Sequence, residues 1–291
     1  MWKKVSSWLK VCDLNIKSLL ASVQQIFQQI KMKKQSSKLP LRQLRPWIVP
    51  ILLIIVWQVA VKSGWLSTRV LPAPTDVLVA GIRLATTGEL SRNLCISTIR
   101  AAIGFLIGGS IGFVLGLLNG IFRVAEELLD TSVQMLRNIP HLALIPLVIL
   151  WFGIGEEAKI FLVALGVFFP IYLNTYYGVR TVDPELIEMA KSYGLHGWSL
   201  FRRVIFKSAL GSILVGVRYA LGIMWLTLIV AETITLDSGV GYMAMNAREF
   251  MRTDVVVLSI LLYALLGKLA DVATKALEAK WLKWDPNYQS A

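Results

Sequence analysis

The sequence predicts an all-α integral membrane protein with about six transmembrane helices and both ends in the cytoplasm. Three observations carry that prediction. Only 16% of the 291 residues are charged, against 56% hydrophobic, where a soluble chain carries about a quarter charged residues. The apolar residues are gathered into uncharged runs on the scale of the roughly 20 residues that cross a bilayer as a helix. The net charge of +12 is concentrated ahead of the first such run. These figures exclude collagen-like, disulfide-framework and disordered chains.

Residues 1–45 form a basic extension. Up to Pro46 the chain holds Lys3, Lys4, Lys10, Lys17, Lys31, Lys33, Lys34, Lys38, Arg42 and Arg45 against the single acid Asp13. Charge placed this way orients a first span with its N-terminus inside, so no nucleic acid is expected as a partner. Val5, Trp8, Cys12, Ile16, Leu19, Val23, Ile26 and Ile30 recur at helical spacing, the pattern of an amphipathic helix lying on the bilayer surface. A signal peptide is not expected, because the apolar h-region and small-residue cleavage site are missing.

Pro46–Val61 is the first span, and residues 46–89 take in this span and an external loop. Lys62 can snorkel and Trp65 can sit at the interface. Residues 90–275 then form the transmembrane core. It holds uncharged runs at Ala101–Phe122, Asn138–Gly155 and Ile160–Val179, followed by spans near 210–236 and 255–274. The last is expected to fray at Lys268, Asp271 and Lys275, leaving 276–291 as a cytoplasmic tail. Segments 62–96, 153–159 and 237–254 fall outside, and 123–131 and 180–209 inside. Arg180, Lys191, Arg202, Arg203 and Lys207 in 180–209 agree with that sidedness. Cys12 and Cys95 are too few for a metal site, and this topology puts them on opposite faces, so no disulfide between them is expected.

Within the spans, Gly104, Gly108, Gly112, Gly116 and Gly120 stand at consecutive i, i+4 positions. Each costs a helix about 1 kcal/mol relative to alanine, and close backbone approach by another helix is the compensating use. That helix can belong to the same chain or to a second copy. Pro140, Pro146 and Pro170 break backbone hydrogen bonding, which is tolerated at membrane depth where protein covers it or a wet cavity is lined by it. Arg218 and Glu232 are charges inside a span, 14 residues apart, so they share a helix face about 21 Å apart and cannot pair with each other. Either fits a functional group or a satisfied interfacial charge. His141 fits a packing hydrogen bond or a substrate contact, and Arg137 attracts an anion or marks a helix end.

The cytoplasmic segment carries the sharpest local signal. Asp183-Pro184-Glu185 supplies an N-cap acceptor, a proline at the first helical position and an acid in the first turn. Leu186, Ala190 and Tyr193 line one side, and Gly194 supplies a left-handed stop. A helix this short needs a docking surface to be stable.

Glu188-Met189-Ala190, then Gly194, then Val204-Ile205, resembles the EAA loop of ABC importer permeases. Met189 stands for the usual second alanine and Lys207 where that loop often has proline. The strings GWLSTRVLPAPTDV (64–77), MLRNIPHLALIPLVILWFGIGEEAKIFLVALG (135–166), MWLTLIVAETI (224–234) and GYMAMNAREFMRTDVVV (241–257) extend the likeness over about 46–288. They are similar to the aliphatic sulfonate permeases, in the branch shared with taurine and nitrate permeases.

The resemblance implies a type I ABC importer permease fold in the bacterial cytoplasmic (inner) membrane. It implies a homodimer, two cytoplasmic ATPase subunits and an extracytoplasmic sulfonate-binding protein. It implies coupling to the ATPase through Glu188, Ala190, Tyr193 and Gly194. Arg137, Asn138, His141, Trp225 and Glu232 are the candidate pathway residues. No cofactor is expected on this chain, and ATP and magnesium are expected on the ATPase. No Walker A motif is present, since Gly267-Lys268 is followed by Leu269 and Leu262 occupies the first glycine position. An ion-coupled carrier using Glu232 or His141 is the competing class, disfavoured because no inverted repeat is visible. A membrane enzyme is disfavoured because His141 and His196 lack metal-ligand spacing.

Overall fold

The computed structural model describes residues 41–234 and 238–283. Apart from its last five residues, the basic extension expected over 1–45 lies outside the described residues, and so does the end of the tail beyond 283. The chain divides into two units. The first holds α1 (Leu41–Lys62), an apolar helix with Lys62 in its last turn. The Gln58 side chain clasps Thr75 there, donating to Oγ1 and accepting from the backbone N–H, both at 3.3 Å.

The second unit is a helical bundle. Its elements are α2 (Pro74–Thr86) from Asp76 onward, α3 (Glu89–Ile121), α4 (Arg123–Arg137), a 3-10 turn at His141–Leu144, α5 (Ile145–Phe152) and α6 (Glu156–Arg180). They are followed by α7 (Pro184–Ser192), α8 (Gly197–Leu200), a π turn at Phe201–Ile205, α9 (Phe206–Ile234), α10 (Val240–Glu249) and α11 (Thr253–Trp281). No strand occurs among the described residues. Four helices are long and apolar enough to cross a membrane, and a fifth crossing follows if the bent pair 123–152 counts as one. The expected six thus resolve into four long helices, one broken pair and one shorter apolar helix at Ile48–Lys62.

Several boundaries differ from expectation. Asn138–Gly155 is not one span: α4 ends at Arg137, and the chain turns by 80° before α5. Pro140 starts the 3-10 turn, and Pro146 sits in the first turn of α5, where its missing N–H leaves no helical bond unmade. Residues 123–131, expected only as a segment between spans, are helical. α11 continues to Trp281, so Lys268, Asp271 and Lys275 are interior helical positions, not a frayed end. Asp271 is drawn instead to Arg218 on α9, whose Nε donates to it at 2.8 Å. Cys12 lies outside the described residues, and with it the expectation about its pairing with Cys95.

The glycine stripe of α3 lies against α6. A Cβ on Gly112 would stand 2.6 Å from the Phe168 carbonyl oxygen, and one on Gly116 2.7 Å from that of Tyr172. At Gly108 it would overlap the Ala164 backbone outright. Two polar rungs fasten the C-terminal half of α6 to α4. Tyr172 donates to Asp130 at 2.8 Å while accepting from Asn119 at 2.6 Å, and Tyr176 donates to Glu126 at 2.5 Å. α4 therefore points Glu126 and Asp130 toward α6, while Glu127, Val124, Leu128 and Met135 are left exposed.

Where α3, α6, α9, α10 and α11 meet, a buried apolar core forms around Val163, Val167, Leu228, Val240, Met243 and Tyr263. α6 carries Pro170 without ending. The Asn174 amide donates to the Pro170 carbonyl at 2.8 Å, and Ser212 of α9 donates to the Asn174 carbonyl at 2.8 Å.

Candidate functional site

Glu232 is fully buried, and the structure surrounds it with donors. Ser97 Oγ donates to its carboxylate at 2.8 Å, Arg100 Nη1 at 2.8 Å, the Gly241 N–H at 2.9 Å and Tyr263 Oη at 2.9 Å. Arg100 also donates to the Ser238 carbonyl at 2.7 Å and forks onto both oxygens of Glu156, where Lys159 joins at 3.2 Å. Asn93 Oδ1 accepts from the Gly239 N–H, and Ser97 Oγ accepts from that of Val240, both at 2.9 Å. Those bonds cap the start of α10 with α3 side chains. Gly239 has φ +110°, and a Cβ there would collide with the Glu232 carboxylate. A side chain at 239 would thus be strained in the backbone and would displace the buried charge.

Chemically this is a lock. One buried carboxylate on α9 collects donors from α3, α10 and α11, and its counter-ion reaches α6. A buried charge persists only when it is paired and hydrogen-bonded, as this one is. In the sequence Arg100 directly precedes the uncharged run Ala101–Phe122. Its interior position shows only once α3 is seen to begin at Glu89, eleven residues earlier. Spacing offered one signal: Ser97 and Arg100 are i, i+3 on one helix face, as are Glu156 and Lys159.

The other pathway candidates scatter. His141 and Thr227 Oγ1 are 3.0 Å apart, and both stand beside Gly166 of α6. Trp225 is buried edge-on to Tyr263, with ring centroids 6.2 Å apart and no partner for its indole N–H among the described residues. Arg137 closes α4, and Asn138 is its C-cap. Thus Trp225 and Glu232 meet through Tyr263, while Arg137 and Asn138 sit at the 80° break. Arg218 and Glu232 do not pair with each other.

The third region is cytoplasmic by the sequence reading. α7 starts as its residues dictate: the Asp183 carboxylate accepts from the Glu185 N–H at 2.9 Å, with Pro184 in the first turn. It stops at Gly194, φ +79°, where the Leu195 N–H returns to the Ala190 carbonyl at 3.0 Å. Glu188 is exposed, Ala190 is buried and Tyr193 is 81% exposed. Leu186, Met189, Ala190 and Tyr193 face Arg203 and Lys207 across a cavity of about 430 Å³. The four coupling candidates are brought together on this one short element. Among the described residues no cluster of His, Cys, Asp and Glu could hold a metal ion.

Comparison with known proteins places this arrangement. The chain is 63% identical over 248 residues to the SsuC permease protein of Escherichia coli (strain K12), named for aliphatic sulfonates transport, covering 85% of this chain and 94% of that one. The SsuC protein of Bacillus subtilis (strain 168), named likewise, is 46% identical over 83% of this chain and 88% of its own. The taurine transport system permease protein TauC of Escherichia coli (strain K12) is 33% identical over 81% and 88%. Residues 104–283 match the model of the binding-protein-dependent transport system inner membrane component family. That span runs from the first glycine of the α3 stripe through α11, so the chain belongs to the family of binding-protein-dependent transport system inner membrane components.

Proposed function

We propose that this chain is the permease subunit of an ATP-driven importer that moves aliphatic sulfonates across the cytoplasmic membrane by alternating access. The observation that carries the coupling half is α7, a capped helix with an exposed Glu188 and Tyr193 beside an apolar cavity. A nine-residue helix gains little from propensity and takes its stability from packing, so such a surface is suited to a protein partner. The chain has no Walker A motif, so ATP and magnesium belong to that partner.

In this reading two copies of the chain pair with two ATPase subunits. Glu188 meets a basic group of the ATPase, Ala190 and Gly194 allow close approach, and Tyr193 packs into the ATPase surface. A separate extracytoplasmic protein delivers the substrate. Closure of the ATPases moves α7 and switches the cavity from inward to outward access. The sulfonate assignment rests on the 63% identity to a protein named for that substrate, against 33% for the taurine permease.

The test deletes the chain from its host and measures uptake of labelled ethanesulfonate, taurine and nitrate, with the wild-type or Glu188→Ala chain returned. Loss of ethanesulfonate uptake that only the wild-type chain restores supports both halves of the proposal. Loss of taurine or nitrate uptake instead keeps the mechanism and changes the substrate. Full restoration by Glu188→Ala overturns the coupling assignment.

A further inference from the structure

α9 and α11 flank a half-open groove of about 750 Å³ that differs in kind from the apolar seams elsewhere in the bundle. One end is charged. Arg218 donates a single hydrogen bond among the described residues, from Nε to Asp271 at 2.8 Å, and its Nη1 stands 3.9 Å from Glu278. A guanidinium has five N–H donors, so four directions remain. The side chain is 39% exposed. Lys268 and Lys275 lie on the far side of Asp271, at 3.2 and 3.3 Å. Three cations thus share two carboxylates, and the surplus charge is positive.

The remainder of the cavity is apolar, and two glycines keep it open. Gly222 on α9 and Gly267 on α11 both line it, and a Cβ at either would meet no heavy atom within 4 Å. The α3 glycines are different, since every one of them is pressed against α6. A helix-interior glycine costs about 1 kcal/mol relative to alanine, and no packing contact offsets it here. The missing side chains leave empty space between a cationic end at Arg218 and an apolar end at Leu226, about 12 Å along the helix.

We infer that this cavity is a transit site for an amphipathic organic anion: Arg218 takes the sulfonate head, and the Gly222–Gly267 gap takes the aliphatic chain. The inference rests on the sulfonate reading above and adds a location and a size limit to it. Arg218 holds its head group through N–H groups that Asp271 does not use, and Asp271 and Glu278 stay close enough to reclaim the guanidinium once the anion leaves. Weak, exchangeable charge pairing of this kind suits a site that must release what it binds.

The test uses the deletion host carrying the full chain with Gly222→Ala, Gly222→Val, Gly222→Leu or Gly267→Leu, and measures uptake of methane-, butane- and octanesulfonate. The expected result is a cut-off that moves with side-chain volume. Gly222→Leu lowers octanesulfonate uptake at least tenfold more than methanesulfonate uptake, and Gly222→Ala falls between it and wild type. Arg218→Gln lowers uptake of all three, and Arg218→Lys restores it in part. Equal loss for every chain length, or an unchanged profile in all four glycine variants, overturns the inference and leaves the permease reading standing. The unchanged profile would assign the cavity to a lipid chain. A wild-type chain that imports none of the three overturns the sulfonate reading itself.

Discussion

Arg100 and Glu232 are 132 positions apart in the sequence and 2.8 Å apart in space, with the carboxylate wholly removed from solvent. This pair, with Ser97, Tyr263, Glu156 and the Gly241 N–H, ties α3, α6, α9, α10 and α11 into one arrangement. Breaking a buried pair from one side costs about 3–5 kcal/mol, because the remaining charge is left unmatched. Glu232→Ala is therefore expected to lower the melting temperature in detergent sharply. The double variant Arg100→Met with Glu232→Met should recover part of that loss. A double variant no more stable than Glu232→Ala would show that the donors around Glu232, rather than the ion pair, set the stability.

Glycine variants on α3 and α9 should diverge. Gly108→Ala drives a methyl into the Ala164 backbone, so the α3–α6 seam must open, and thermal stability should fall. Gly222→Ala meets no atom within 4 Å and is expected to be neutral or to stabilise by up to about 1 kcal/mol. Melting curves of the two variants, measured side by side, check the contrast.

Tyr172→Phe removes the hydroxyl that links Asn119 to Asp130. The ring still fills its place, so the loss is confined to hydrogen bonding, about 1–3 kcal/mol for buried groups left unpaired. Tyr176→Phe should cost less, because Glu126 keeps Arg180 at 3.0 Å. Unfolding of the two variants in denaturant orders them.

Glu188→Ala should leave folding intact. The side chain is exposed on α7, and surface changes of this kind fall within about 0.5 kcal/mol. Uptake is nevertheless expected to be lost. An unchanged melting temperature with uptake abolished separates a coupling role from a structural one, and a drop in both would assign Glu188 to the fold.

Local signals were legible in the sequence, and long-range pairings were not. α7 begins at Asp183 and ends at Gly194, where the cap, proline and glycine chemistry placed it, because each of those signals acts within one turn. The third span misled, since its uncharged run says nothing about the angle at which Asn138–Pro140 turns the chain. Residues 123–131 read only as a segment between spans, since Glu126, Glu127 and Asp130 interrupt the apolar pattern. Two of those acids are matched by tyrosines on α6, which one-dimensional periodicity cannot see. Arg100 escaped notice for the same reason: its partners, Glu156, Glu232 and Ser238, are all distant in the chain. Asp271 is the mirror case, a charge read as solvated that instead ties α11 to α9.

The inward-facing acids of α4 also constrain how the protein is made. Asp130 waits for Tyr172, 42 residues later, and Glu126 for Tyr176, 50 residues later. At 5–20 residues per second, roughly two to ten seconds separate synthesis of α4 from arrival of its partners. During that interval the helix has an oily side suited to acyl chains and a charged side suited to water. The surface of the bilayer satisfies both at once. Nascent α4 is therefore expected to lie flat there and to settle into the bundle together with α6, so that biogenesis proceeds by helix pairs rather than span by span.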